Sequence, residues 1–384
     1  MNCTVPGVPM HVVAQRMMLR AMAERIPYNA SIEIIATCNF ACGHCYIAPT
    51  AERHDVMPLE SAERILDMLE RAGTLYLLLT GGEPLTHRQF REIYLAGVRR
   101  GFLMQLNSNG YLIGERWADF LAEHPPTVVS ISVYGMSDED YLRVTGIPNA
   151  WRRVERAVDL LRERGIHLDL KCPAMTTTAA TMPAIARWCA DRGVTMRYDV
   201  TMIAEDKGSV APLGFQLTAD QVAALDAAVD PGFATMRSEY PTKVPVAPSD
   251  SVYRCGGGRA NIHIGVHGDV FTCTTSRRPA ANLLRDGWDY AWAALGGKVA
   301  VKFPVGHPCA TCGFRGICVG CPATAESVTG LPTGYVQAHC RITHRRAYNA
   351  GLHPTGVPRT VTEGIPPHIP TPGAAASRAL PVIS

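Results

Sequence analysis

No stretch of this chain reads as a secretion signal: the opening MNCTVPGVPMHVVAQRMMLRAMAERIPYNA has no charged segment followed by an apolar one. No apolar run approaches the roughly 18 residues of a membrane span. Lysine and arginine are scattered among aspartate and glutamate, as in AERILDMLERAG. There is no basic block of the kind that grips a phosphate backbone, and the formal net charge is only +3. A cytoplasmic protein is expected, with neither a membrane nor nucleic acid as partner. Cysteine is scarce along most of the chain, where only Cys172 and Cys189 occur between Cys45 and Cys255. The total is 13, an odd number, and in a reducing compartment that does not read as a disulfide framework. Apart from Cys3, the others crowd into two places, 38–45 and 255–340. Such crowding reads as metal ligation.

With 384 residues and 47% hydrophobic content, the chain suffices for one large domain and a smaller one. From residue 31 to about 203 it alternates strand-like runs (SIEIIAT, LYLLLTG, FLMQLNSNG, TVVSISVYG, HLDLKCPAM, TMRYDVTMI) with amphipathic stretches such as PLESAERILDMLERAG. Six strand–helix units with right-handed crossovers predict an α/β fold, a partial (β/α)6 TIM-like barrel whose chemistry sits at the carboxyl ends of the strands. The suspicious motifs lie there: the cysteine triplet after the first strand, GGEP (Gly81 to Pro84) after the second, NSNG (Asn107 to Gly110) after the third and SVYG (Ser132 to Gly135) after the fourth. Another helix is expected from about Thr218, and the Pro-rich YPTKVPVAPSD is the expected domain boundary. The expected division is an N-terminal extension at 1–29, the barrel at 30–240, a cysteine-rich extension at 250–348 and a disordered Pro-rich tail at 353–384.

In TCNFACGHCYIAP, Cys38, Cys42 and Cys45 would share one face of a helix, so a stripe of buried free cysteines is the plain alternative. Gly43, Asn39, His44 and Pro49 suit a loop better. Structural zinc needs four ligands, and His44 beside Cys45 is poorly placed to supply one. Three thiolates fit a four-iron, four-sulfur cluster that keeps one iron open. Cys38-x3-Cys42-x2-Cys45 followed by Tyr46, with GGEP at the end of the next strand, resembles the radical S-adenosylmethionine (SAM) enzymes. The resemblance implies that the open iron is chelated by the methionine moiety of S-adenosylmethionine, and that one electron from the cluster cleaves the sulfonium to a 5'-deoxyadenosyl radical. It also implies that the Gly81-Gly82-Glu83 backbone meets the amino group and that Tyr46 lies near the adenine. Ser108 or Asn109, Ser132 and Arg143 would meet ribose and carboxylate. Arg143 could equally be a solvated helix residue.

The second group contains Cys255, Cys273, Cys309-x2-Cys312-x5-Cys318-x2-Cys321 and Cys340. Alone it could be two zinc sites. With the upstream motif it resembles the SPASM extension, which implies two auxiliary four-iron clusters. By that resemblance Cys255, Cys273 and Cys321 belong to the first, and Cys309, Cys312, Cys318 and Cys340 to the second. Fuller versions often place another cysteine shortly after the first, but here residues 256–261 are GGGRAN. The first auxiliary cluster is thus expected to be open to substrate or to take a non-cysteine ligand. Only two residues separate Cys318 from Cys321, where three are usual.

The segments ISVYGMSDEDYLRVTGIPNAWRRV and CPATAESVTG resemble the peptide maturases. Modification of a ribosomally made precursor peptide is the first expectation, by cross-link, epimerisation or oxidation. The approximately 30 residues before the first strand are too few for a fused leader-binding domain, so a separate leader-peptide-binding protein is expected, with a flavodoxin or ferredoxin as reductant. The alternatives are a radical dehydrogenase or epimerase acting on a small metabolite such as an aminosugar, and a non-enzymatic zinc or electron-transfer module. Cys172, near the end of the fifth strand, is a candidate hydrogen-atom donor to a substrate radical, or else a small core side chain.

Overall fold

The computed structural model of the protein describes residues 10–47 and 54–352. Residues 1–9, Pro49 and the tail expected at 353–384 lie outside the described residues. After helix α1 (Met10–Glu24), six strands follow in chain order: β1 (Asn29–Ile35), β2 (Tyr76–Gly81), β3 (Leu103–Ser108), β4 (Val128–Ser132), β5 (Leu168–Pro173) and β6 (Thr195–Asp199). Each of the six runs predicted as a strand forms one, and each pairs in parallel with the next. The crossovers are α2 (Leu59–Arg71), α3 (Phe90–Arg99), α4 (Glu115–Glu123), α5 (Asp138–Thr145) with α6 (Ala150–Glu163), and α7 (Met182–Asp191). In α2 the buried residues Ala62, Ile65, Leu66 and Leu69 fall at three- and four-residue steps. That is the stripe needed to cover a sheet face.

The two faces of this sheet differ in kind. Register places Ile32, Leu79, Leu106, Val129 and Leu168 in one row, with Ile131, Leu170 and Met196 in the next. Ile32, Leu79, Leu106, Val129, Ile131 and Leu170 are fully buried there, each worth roughly 1.5–3 kcal/mol of apolar burial. The opposite face carries Glu33 beside Thr80, then Asn107, Ser130 and Asp169 in register, and Ser132, Lys171 and Arg197 in register. Parallel strands covered on both faces are usually apolar throughout. The alternation here gives the sheet a polar concave side.

The Pro-rich link does not start a separate sheet. Strand β7 (Asn261–Ile264) pairs in parallel with β1, and β8 (Asp269–Phe271) and β9 (Ala281–Asn282) add antiparallel, giving the order β6-β5-β4-β3-β2-β1-β7-β8-β9. Without β7, the strand that leads into the cysteine triplet would be an unpaired edge. Helix α8 (Ala219–Val229) begins at Thr218 with a reciprocal Thr218–Gln221 capping box. The helix Gln337–Asn349 docks on α8 through Arg346, which grips the fully buried Asp226 with two bonds of 2.8 and 2.7 Å. Among the described residues no helix is long and apolar enough to cross a membrane.

Candidate active site

The chain leaves β1 at Ile35 and enters a loop that carries Cys38, Cys42 and Cys45, all half-buried. Local bonds set its path: Cys45 N–H donates to the Cys42 carbonyl (3.1 Å) and Ala41 N–H to the Thr145 carbonyl (2.9 Å). The loop after β2 lies directly against it. Gly82 N–H donates to the Ile35 carbonyl (2.8 Å) and Glu83 N–H to the Thr37 carbonyl (2.9 Å). A Cβ on Gly81 would strike the Ile35 carbonyl, and one on Gly82 the carbonyls of Ala36 and Thr37. Gly81 also has φ of 150°, so only glycine fits this approach.

Glu83 joins this loop to the next. Its side chain is fully buried and accepts from Ser108 Oγ–H (2.9 Å), Asn109 N–H (2.7 Å) and Leu85 N–H (3.2 Å). Burial outweighs these donors and lifts its pKa to about 7. Asn109 continues the chain of contacts, with Nδ2 donating to Asn39 Oδ1 at 2.8 Å and lying 3.8 Å from Cys38 Sγ. Cys38 Sγ also accepts from Phe40 N–H (3.4 Å). Ser108 and Asn109 are thus committed to holding three loops together. Ser132, at the end of β4, bonds Tyr134, whose hydroxyl also reaches the Cys42 thiol. The His44 ring packs 5.3 Å from that of Tyr134.

Two further candidates have surroundings of their own. Arg143, in α5, pairs with Asp140 at 2.6 Å and is half exposed. Cys172 shares the parity of Leu168 and Leu170, is buried in the apolar core and lies within electrostatic reach of Cys189 of α7. The polar side of β5 carries Lys171, whose Nζ donates to Asn107 Oδ1 at 2.9 Å.

Sequence reasoning missed a buried polar cluster under the triplet loop. Glu33, mid-strand in β1, meets Arg277 Nη1 at 2.7 Å and His263 Nε2 of β7 at 3.2 Å, while His263 Nδ1 is 2.8 Å from Ser31 Oγ. Burial opposes ionisation of Glu33, but Arg277 and His263 together hold its carboxyl far below the usual range. The Arg277 guanidinium lies over the Tyr46 ring at 4.7 Å. A lone acid inside the apolar run SIEII was the available signal.

Six of the seven later cysteines, all but Cys273, line a cavity of 430 Å³ together with Arg254, Arg315, Tyr335 and His339. Their electrostatic couplings fall into two sets. Cys309 feels Cys318, Cys312 and Cys340, whereas Cys321 feels Cys273, and Tyr253 feels Cys273, Cys255 and Cys321. Among the described residues no three His, Cys, Asp or Glu side chains close on one point as a single metal ion would require.

The residues of the triplet loop fit an iron–sulfur cluster. Burial and the nearby Glu83 and Cys45 push the Cys38 thiol up to about 12, although its hydrogen bonds favour the thiolate. The Asn39 amide Nδ2 is buried with no partner of its own. Three thiols so placed need a cation to ionise, and the donors around them suit sulfur acceptors. Near the three-cysteine set, Tyr253 Oη, Thr272 Oγ1 and Ser276 Oγ are also buried without partners.

Residues 32–182 match the family described as the Radical SAM superfamily. Over 331 residues the chain is 27% identical to the mycofactocin maturase MftC of Mycobacterium ulcerans, spanning 82% of this chain and 88% of that protein. Over 320 residues it is 22% identical to the AdoMet-dependent heme synthase of Methanosarcina barkeri, spanning 78% and 92%. Its fold is similar to that of Streptococcus suis SuiB in the crystal structure with the precursor peptide SuiA bound, with a TM-score of 0.64 at 16% identity over 87% of this chain and 82% of that one.

Proposed function

We propose that this chain, whose residues 32–182 are a radical SAM domain, cleaves S-adenosylmethionine reductively and uses the radical so formed to modify a ribosomally made peptide. The observation that carries this reading is the clamp of the cysteine loop between the Gly81-Gly82-Glu83 and Ser108-Asn109 loops, at the carboxyl ends of parallel strands above a polar concave face. Similarity to a mycofactocin maturase supports the peptide as substrate class. Similarity to a heme synthase keeps a small-molecule substrate as the second reading.

Cys38, Cys42 and Cys45 would hold the four-iron cluster, which when bound with S-adenosylmethionine supplies one electron and a carbon-centred radical. The chain's own residues do the rest. Glu83 fixes the spacing between the glycine loop and the Ser108-Asn109 loop, and Asn109 donates toward Cys38. Tyr134 lies beside the cluster loop and Phe40 N–H donates to Cys38 Sγ. Gly81 to Glu83 and Tyr46 would contact S-adenosylmethionine, with Ser132 near its polar end. Lys171, Asn107 and Ser130 line the side where substrate would lie. Cys255, Cys273 and Cys321 would hold one auxiliary cluster and Cys309, Cys312, Cys318 and Cys340 another, supported by the two sets into which their couplings fall. A flavodoxin or ferredoxin would donate the electron, and a separate protein would deliver the peptide by its leader.

The test is anaerobic incubation with dithionite, S-adenosylmethionine and any short open reading frames found beside this gene, made as peptides. A change in peptide mass that appears with 5'-deoxyadenosine supports the reading. Deoxyadenosine without any peptide change, together with turnover of a small metabolite, replaces it with the second.

A further inference from the structure

Arg277 sits where the two cysteine regions meet. It lies four residues after Cys273, and its Nη2 donates to the Thr274 carbonyl at 2.7 Å, closing the turn that follows that cysteine. Ser276 N–H donates to the Cys273 carbonyl at 3.1 Å in the same turn. Arg277 Nη1 reaches Glu33 of β1 at 2.7 Å, and its guanidinium lies 4.7 Å from the ring centroid of Tyr46, the residue after Cys45, and hydrogen-bonds the tyrosine side chain. The Tyr46 carbonyl in turn accepts from Asp206 N–H at 2.9 Å. Both ends of the Arg277–Glu33 pair are buried, at 7% and 8% side-chain exposure.

A buried ion pair is a poor source of stability, because desolvation cancels most of its attraction and an apolar pair of equal volume often does as well. What such a pair supplies is registry. Here the fork of one guanidinium fixes three things at once: the turn after Cys273, the carboxylate in β1 and the tyrosine at the end of the triplet loop. A lysine would keep the charge beside Glu33 but could not hold the turn and cover the ring together.

We propose that Arg277 is a positioning residue that couples the Cys273 turn to the S-adenosylmethionine site, holding Tyr46 in its binding position only while that turn is formed. Loss of the Cys273 turn releases Arg277 from the ring and weakens S-adenosylmethionine binding at the triplet. The coupling is a free energy between two sites, so it is reciprocal: bound S-adenosylmethionine steadies the Cys273 turn. The proposal rests on S-adenosylmethionine binding at the triplet and not on the identity of the substrate.

The experiment is equilibrium dialysis of S-adenosylmethionine against anaerobic, iron-loaded full-length protein, read together with the electron paramagnetic resonance of the reduced triplet cluster. Arg277→Lys and Cys273→Ala are each expected to weaken binding by about tenfold and to diminish the spectral change on adding S-adenosylmethionine. The double variant is expected to be no weaker than either single one, because both break the same link. Glu33→Gln with Arg277→Met removes both charges of the pair and is expected to lose the same affinity, which separates positioning from the cost of a buried arginine or glutamate left alone. Arg100→Lys, the same exchange in the Asp67 pair away from the site, is expected to bind as the parent does. A parent that binds S-adenosylmethionine while Arg277→Lys or Cys273→Ala binds equally well overturns the coupling, and so do losses that multiply in the double variant. A parent that does not bind S-adenosylmethionine overturns the functional reading itself.

Discussion

The cysteines at 38–45 hang from the end of a parallel strand paired on both sides, and Glu83 and Asn109 pin their loop from the ends of β2 and β3. Residues 305–345 carry five cysteines on helices and turns around a cavity, with Phe314 and Ile317 in a small apolar cluster of their own and Ile342 reaching the main core. The triplet loop is tied to the sheet by hydrogen bonds from its neighbours. Held as proposed, the later cysteines would add the folding energy of metal ligation to a region whose own apolar cluster is small. On that reading the same residue type serves chemistry in one region and, to a large extent, architecture in the other.

The sharpest way to break this contrast is to remove the iron. After anaerobic chelation, amide exchange across residues 305–345 is expected to accelerate by about a thousandfold or more, while β1, β2 and β3 keep the protection set by global stability. Equal loss in both regions would mean that the barrel also depends on metal.

A smaller effect is expected at Glu83. Its folded pKa of about 7 lies above the usual 4.5, so the folded state holds the proton more tightly than the unfolded one. Its contribution is complete below about pH 4.5 and is lost as pH rises through 7, amounting to about 3 kcal/mol for a shift of this size. Thermal denaturation of the metal-free protein should therefore show stability falling from pH 5 to pH 8. Glu83→Gln should flatten that slope and cost about 1–3 kcal/mol at pH 5 by turning an amide against the donor at Asn109. A slope unchanged by the substitution would assign the pH dependence elsewhere.

The smallest effect is expected at Cys172. Its replacement by alanine should cost about 1 kcal/mol in denaturant titration through lost packing, with product and solvent deuterium incorporation unchanged. Altered deuterium content in the product would return Cys172 to the reacting side.

The strands were legible because each is a short apolar or β-branched run ending in turn residues, and local patterning alone places them. The ends of those strands also located the triplet, GGEP and NSNG correctly relative to one another. The side assignment of Cys172 was legible as well, since Leu168, Leu170 and Cys172 share the odd steps of LDLKCP while Asp169 and Lys171 take the other face. Partnerships across long separations were not. Glu33 meets Arg277 across 244 positions, and β7 finds β1 rather than founding a sheet of its own. No local period encodes either. The carboxylate of Glu83 was read for its backbone, and its role as a buried clasp emerged only from the three donors around it.

The most direct measurement compares alanine variants at Cys38, Cys42 and Cys45 with the parent for 5'-deoxyadenosine formed from S-adenosylmethionine and dithionite, with iron counted in the same samples. Deoxyadenosine at background in all three, with about four fewer iron atoms per chain and the remaining iron–sulfur signals intact, is the expected result. Normal deoxyadenosine from any one of them, or unchanged iron in all three, would contradict the assignment of the triplet.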